Sequence, residues 1–221
     1  SPVSAESGLL EIRDVVSQRE AAVAPTPGEI SQRDVLEAYA AHLLSLAPVS
    51  GRPLRVVVDA GNGMAGLTAP VVFDRIGDGV ELVPMYFELD GSFPNHEANP
   101  IEPENLVDLQ KRVVAEGAHI GLAFDGDADR CFGVDELGHA VSPSTLTALI
   151  AARELAKEPG ATVIHNLITS RRVPELVTEL GGTPVRTRVG HSFIKATMAE
   201  TDAVFGGEHS GHFYFRDFWR A

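Results

Sequence analysis

The run His119-Ile120-Gly121-Leu122-Ala123-Phe124-Asp125-Gly126-Asp127-Ala128-Asp129-Arg130 sets an apolar segment directly against a loop of glycine, alanine and three aspartates. Residues 119–124 read as a buried strand, and the loop that follows has neither a helical nor a strand period. A strand that empties into such a loop belongs to an open α/β sheet, where ligands sit beyond the strand ends. The flanks agree. Upstream, strands are predicted over 54–59 and 80–87, and helices over 31–47, 68–76 and 103–116, the first capped by Ser31 and the last opening on Pro103 and stopping at Gly117. Downstream, residues 131–142 predict a strand, a turn at Glu136-Leu137-Gly138 and a second strand. Helices over 145–157, 173–180 and 192–200 then alternate with strands over 161–165, 184–187, 203–206 and 212–215. The fold class expected is α/β, with two successive α/β/α-layered domains and mixed, largely parallel sheets. The divisions expected are 1–30, a tail and linker ending in Ala24-Pro25-Thr26-Pro27-Gly28, then 31–141 and 142–221.

Three carboxylates in six residues repel one another, and a hard cation such as Mg²⁺ supplies a reason to tolerate them. Spacing at i, i+2 and i+4 in an extended or loosely turned loop aims all three toward one point, which a helix cannot do. Against a divalent ion they still leave a net charge of about −1, so Arg130 beside them suggests that an anion such as a phosphate is accommodated too. Other readings exist. A solvated acidic turn is the plainest. An EF-hand matches Asp125, Asp127, Asp129 and Glu136 in count but puts Arg130 where glycine belongs, between strands rather than helices. A phosphatase with a nucleophilic Asp125 and an acid/base Asp127 is the chemical rival.

Three further segments carry chemistry-bearing residues. Gly61-Asn62-Gly63-Met64-Ala65-Gly66 has dinucleotide-loop spacing, with Glu88 beyond the next strand, but Pro70 is expected to interrupt the helix after it. A tight turn that needs glycine is the preferred reading. Gly207-Glu208-His209-Ser210-Gly211-His212 offers a carboxylate and a hydroxyl framed by glycines, suited to sugar hydroxyls. Arg186-Thr187-Arg188-Val189-Gly190-His191-Ser192 places two arginines and a histidine at a helix start, for anion contact or simply for packing.

Composition narrows the function classes. Of 221 residues, 18 are Lys or Arg and 31 are Asp or Glu, a formal charge of −13. Phosphate backbones and anionic membranes reward clustered cations, so neither nucleic acid nor membrane is an expected partner. No run approaches the roughly 20 apolar residues of a membrane span. The single cysteine, Cys131, cannot close an internal disulfide, which suits a reducing cytoplasm. The chain starts at Ser1 rather than Met, and a piece of something longer is expected.

Taken together, the segments resemble the α-D-phosphohexomutases, a family that includes phosphomannomutases and phosphoglucomutases. The resemblance rests on V-V-V-D-A-G-N-G-M-A-G from Val56, E-L-D-G-S-F-P-N-H from Glu88, G-L-A-F-D-G-D-A-D-R from Gly121, R-V-G-H-S-F-I-K from Arg188 and G-G-E-H-S-G-H from Gly206. It implies domains II and III of a four-domain enzyme. The phosphoserine loop of the T-A-S-H-N-P type and the fourth domain would lie outside these residues. It also implies phosphoryl transfer between hexose 1-phosphate and hexose 6-phosphate through a hexose 1,6-bisphosphate, assisted by Mg²⁺. By the same resemblance Asp125, Asp127 and Asp129 hold the metal and Arg130 lies beside the phosphoryl group. Glu208, Ser210 and Gly207 form the sugar loop, and His191 is near the reacting phosphate. On their own the 221 residues are expected to show no mutase activity. One departure stands out: many members carry a lysine where this chain has Ile168.

Overall fold

Val56, Val57 and Val58 show how the layers arise. A strand's side chains alternate between faces, and here Val56 and Val58 pack with Ala69 and Phe73 of one helix, while Val57 packs with Leu109 and Val113 of another. The central strand therefore has helices on both sides. The computed structural model describes residues 8–18, 26 and 28–218.

The chain divides into a unit Ser1–Asp34 and a unit Val35–Ala221. In the first, helix α1 spans Leu10–Gln18, within a stretch expected to be tail and linker. None of its residues is buried, and Leu9, Ile12 and Val16 recur at helical spacing inside a polar run that masks the period. The Pro and Gly cluster at 24–28 lies largely outside the described residues.

The second unit opens with α2, Leu36–Leu46. Its cap position is Val35, with no side-chain cap bond, so the Ser31 cap expected from sequence is not formed and the helix starts five residues later. Helix α2 packs on α3. The strands β1 (Leu54–Asp59), β2 (Val80–Met85), β3 (Ile120–Phe124), β4 (Cys131–Asp135) and β5 (Ala140–Val141) form one sheet in the order β2-β1-β3-β4-β5. The first three are parallel, and β4 and β5 are added antiparallel. Helix α3 (Ala65–Ile76) runs through Pro70 without a break, against the interruption expected there. Helix α4 (Val107–Ala115), entered through a short 3-10 turn at Pro103–Leu106, covers the opposite face.

The second sheet repeats the plan. Strands β6 (Thr162–Asn166), β7 (Thr183–Thr187), β8 (Phe205–Gly207) and β9 (Phe213–Phe215) lie in the order β7-β6-β8-β9, with β9 antiparallel to β8. Helices α5 (Pro143–Lys157) and α6 (Arg172–Glu179) cover Val163, and α7 (His191–Thr201) covers Ile164 on the other side. Two α/β/α-layered sheets with mixed pairing are thus present. Among the described residues no helix is long and apolar enough to cross a membrane.

Candidate active site between the two sheets

Each sheet ends its third parallel strand in a loop that carries candidate site residues before turning back antiparallel. After β3 the chain turns sharply: the Ala128 amide donates to the Asp125 carbonyl at 3.1 Å, and Ala128 itself is left-handed at φ 62°. A non-glycine residue held there stores strain of about 1–2 kcal/mol, which clusters at functional sites. The turn converges the acids. One oxygen from each of Asp125, Asp127 and Asp129 lies within 4.8 Å of the others. The donor set is all carboxylate oxygen, which fits a hard divalent cation such as Mg²⁺.

The three acids differ. Asp125 is 2% exposed; its Oδ2 accepts from Arg130 Nε at 2.6 Å and its Oδ1 from the Arg130 amide at 3.0 Å. Burial alone would raise its pKa, but Arg130's hydrogen bonds and charge outweigh it and hold the carboxyl below the usual range. Each Asp125 oxygen accepts one hydrogen bond from Arg130 and keeps a second lone pair for a cation. Asp127 and Asp129 are exposed. Asp129 is pushed upward by partial burial and by the charges of Asp125 and Asp127, against the pull of His212.

The loop after β8 is built differently. Glu208 is also 2% exposed, but neutral donors hold it: Tyr214 Oη at 2.8 Å to Oε1, Asn166 Nδ2 at 3.0 Å and the Gly190 amide at 3.4 Å to Oε2. Burial first, and the bond to Glu208 second, push the Tyr214 phenol above its ordinary value. Ser210 Oγ lies 2.8 Å from His212 Nδ1, and Ser144 Oγ, on α5, lies 3.1 Å from His209 Nδ1. Gly207 ends β8 against Thr147 of α5. His191 is the first residue of α7 and exposed, one residue from the Gly190 amide that meets Glu208. Arg188 stacks over Phe193, 4.3 Å from the ring centre.

The two loops meet. His212 Nε2 lies 3.3 Å from Asp129 Oδ2, and the Cys131 amide donates to the Gly211 carbonyl at 3.2 Å. Gly211 has φ 88°, and a Cβ there would lie 2.4 Å from the Phe132 ring, so only glycine lets this loop rest on β4. Burial pushes the neighbouring Cys131 thiol up to about 12, which makes it a poor nucleophile.

A family model for phosphoglucomutase/phosphomannomutase domain II matches residues 37–138, and one for domain III matches residues 142–221. The chain belongs to the phosphoglucomutase/phosphomannomutase family. It is 42% identical over 192 residues to a phosphomannomutase/phosphoglucomutase of Pseudomonas aeruginosa, covering 87% of this chain and 41% of that protein. It is 40% identical over 226 aligned residues to a phosphomannomutase of Escherichia coli, covering 98% and 49%. A solved family structure from Burkholderia thailandensis superposes with a TM-score of 0.87 at 37% identity, over 100% of this chain and 46% of that one. The chain spans about half the length of the relatives it matches or less.

Several family-loop contacts were not read from sequence. His212, Asn166, Tyr214 and Asn99 all touch an expected site residue from elsewhere in the chain. The Gly61–Gly66 segment serves as a turn: the Met64 amide donates to the Gly126 carbonyl at 2.9 Å, and a Cβ on Gly63 would lie 2.6 Å from that same oxygen. Its glycines thus let the chain approach the aspartate loop, the tight-turn reading rather than a dinucleotide one. Ile168, the departure from the lysine-bearing pattern, is 57% exposed in the turn after β6.

Proposed function

We propose that this chain is the central part of a phosphomannomutase/phosphoglucomutase, its two sheets, 31–141 and 142–221, serving as domains II and III. The observation that carries the reading is the junction of the aspartate loop with the Glu208–His212 loop through His212 and Asp129. A phosphoryl site and a sugar site are needed side by side, and the loops from the two equivalent strand ends supply them in contact.

Asp125, Asp127 and Asp129 would hold Mg²⁺, which supplies charge neutralisation on a transferring phosphoryl group. Arg130, fixed by Asp125, presents a guanidinium to the phosphate. Glu208 and Ser210, with Gly207 at the loop's start, orient sugar hydroxyls, and His191 at the head of α7 approaches the phosphate from the second sheet. The substrates are mannose or glucose phosphates, with a hexose 1,6-bisphosphate as intermediate. The serine phosphate and a fourth domain come from beyond these residues. The protein works in the cytoplasm, without nucleic acid or membrane partners.

Conversion of mannose 1-phosphate to mannose 6-phosphate by the full-length protein, with Mg²⁺ and glucose 1,6-bisphosphate, tests this. Asp127→Ala should cut kcat by on the order of 10²-fold or more. An unchanged rate in that variant would remove the metal assignment. The 221 residues alone, lacking the phosphoserine, should not turn over, and measurable turnover would refute the placement of the donor elsewhere.

A further inference from the structure

Residues 86–102, between β2 and the 3-10 turn, form a long loop with no ladder of its own. Such loops are uncommon in compact domains and usually serve function. This one is pinned at three points. Asn62, left-handed at φ 61°, is the first: its amide donates to the Tyr86 carbonyl at 2.8 Å, and its carbonyl accepts from the Asp90 amide at 3.0 Å. Its side chain donates to the Glu88 carbonyl at 2.8 Å and accepts from Asn95 Nδ2 at 2.7 Å. His96 is the second, with Nε2 3.0 Å from Asp59 Oδ2 and Nδ1 2.8 Å from the Glu97 carbonyl.

The third is Asn99. Its backbone carbonyl accepts from Asn105 Nδ2 at 2.9 Å and from the Glu102 amide at 3.3 Å, which fixes the residue. Its side-chain Oδ1 then accepts from Arg130 Nη1 at 2.9 Å. The assignment of Oδ1 follows from the partner, since a guanidinium only donates. Arg130 is thereby held in two directions: Asp125 takes Nε and Asn99 takes Nη1. A planar guanidinium gripped on two nitrogens keeps one orientation, and the side chain remains 23% exposed.

We propose that Asn99 is a positioning residue for Arg130, and that the 86–102 loop is the device that carries it there. The proposal rests on the reading of Arg130 as the group that meets the phosphoryl. Asp125 alone would fix Nε and leave the guanidinium free to swing about that contact. Asn99 removes the swing before substrate arrives, so its contribution belongs in kcat more than in ground-state affinity.

The test uses the full-length protein with mannose 1-phosphate, Mg²⁺ and glucose 1,6-bisphosphate, comparing Asn99→Ala, Asn99→Asp, Arg130→Ala and the double variant. Loss of an outer-shell partner typically costs 10- to 100-fold; Asn99→Ala is expected to lose about tenfold in kcat with little change in KM. Asn99→Asp, which offers Nη1 the same acceptor, should recover most of the rate. The double variant should be no slower than Arg130→Ala, because Asn99 acts through Arg130. Multiplying effects in the double variant would overturn the proposal, as would a full rate in Asn99→Ala when Arg130→Ala is slow. A full rate in Arg130→Ala would bring down the phosphate reading itself, and this proposal with it. If Asn99→Ala fails to fold, Asn99→Ser, too short to reach Nη1, takes its place with the same expectations. Calorimetric Mg²⁺ affinity should be unchanged in the folded variant; its loss would mean that the aspartate loop had moved, and would overturn the positioning role.

Discussion

The loops after β3 and after β8 occupy equivalent places, each following the third parallel strand and leading into an antiparallel one. Each hides one carboxylate completely, Asp125 in the first and Glu208 in the second. Their surroundings are opposite. Asp125 is held by a cation and crowded by two more acids, so the first loop carries surplus negative charge. Glu208 is held by a phenol, an amide side chain and a backbone amide, all neutral, so its demands are met within the chain. The first loop is thus open to an external cation. The second is a finished internal network that can only orient what touches it.

This contrast is most exposed to attack at Glu208. Replacing it by alanine strands the Tyr214 hydroxyl and the Asn166 amide in the interior, and unpaired buried donors cost about 1–3 kcal/mol each. Glu208→Ala should therefore lose roughly 4 kcal/mol in denaturant unfolding. Asp127→Ala, at the exposed side of the other loop, should lose nothing without metal, since it relieves repulsion. Equal destabilisation by the two would erase the distinction between a satisfied and an unsatisfied loop.

Next in size is the response to metal. A ligand that binds only the folded state at a hundredfold excess over Kd stabilises by about 2.7 kcal/mol. MgCl₂ should raise the melting temperature of the wild-type chain and of Glu208→Gln, but not that of Asp127→Ala. A shift that survived in Asp127→Ala would place the ion elsewhere.

The third prediction concerns the loop that braces the first site. Both ring nitrogens of His96 face acceptors, the Asp59 carboxylate and the Glu97 carbonyl. The hydrogen bond to Asp59 raises its pKa above 6.5, against the opposing effect of burial; Tyr86 packs edge-on against the ring, with Asp108 beyond it. Because the folded value is the raised one, the stabilisation is full below 6.5 and is lost as pH climbs through the folded value. Stability should fall by about 1 kcal/mol across that window, and His96→Gln should flatten the decline. A His96 ring that NMR finds neutral at pH 6.5 would contradict it.

Much of this architecture could be read from the sequence because β strands in a doubly covered sheet are continuous apolar runs, as at Val56–Val58 and Val163–Ile164. The aspartate loop was equally plain, since its charges have no local excuse. Helix starts were less so: Ser31 has the chemistry of a cap, yet α2 begins at Leu36 with no side-chain cap at all. Hardest were the braces. Asn99 and Arg130 stand 31 positions apart and Glu208 and Asn166 stand 42 apart. Such bonds leave no period, and an asparagine in a polar loop looks the same whether it meets water or an arginine.

The smallest expected effect tests whether the first loop is strained to converge its acids. Ala128 sits at φ 62° between Asp127 and Asp129. A non-glycine residue there costs about 1–2 kcal/mol, while glycine would cost about 0.5–1 kcal/mol in the entropy of the unfolded chain. Ala128→Gly should therefore stabilise the protein by about 0.5 kcal/mol. It should also loosen the arc that brings the three carboxylates together, so Mg²⁺ affinity should fall slightly as stability rises. No counterpart is expected after β8, where the described non-glycine residues 208–210 and 212 all have negative φ. If Ala128→Gly lowered stability and left Mg²⁺ affinity unchanged, the turn would be relaxed as it stands, and convergence of the acids would owe nothing to backbone strain.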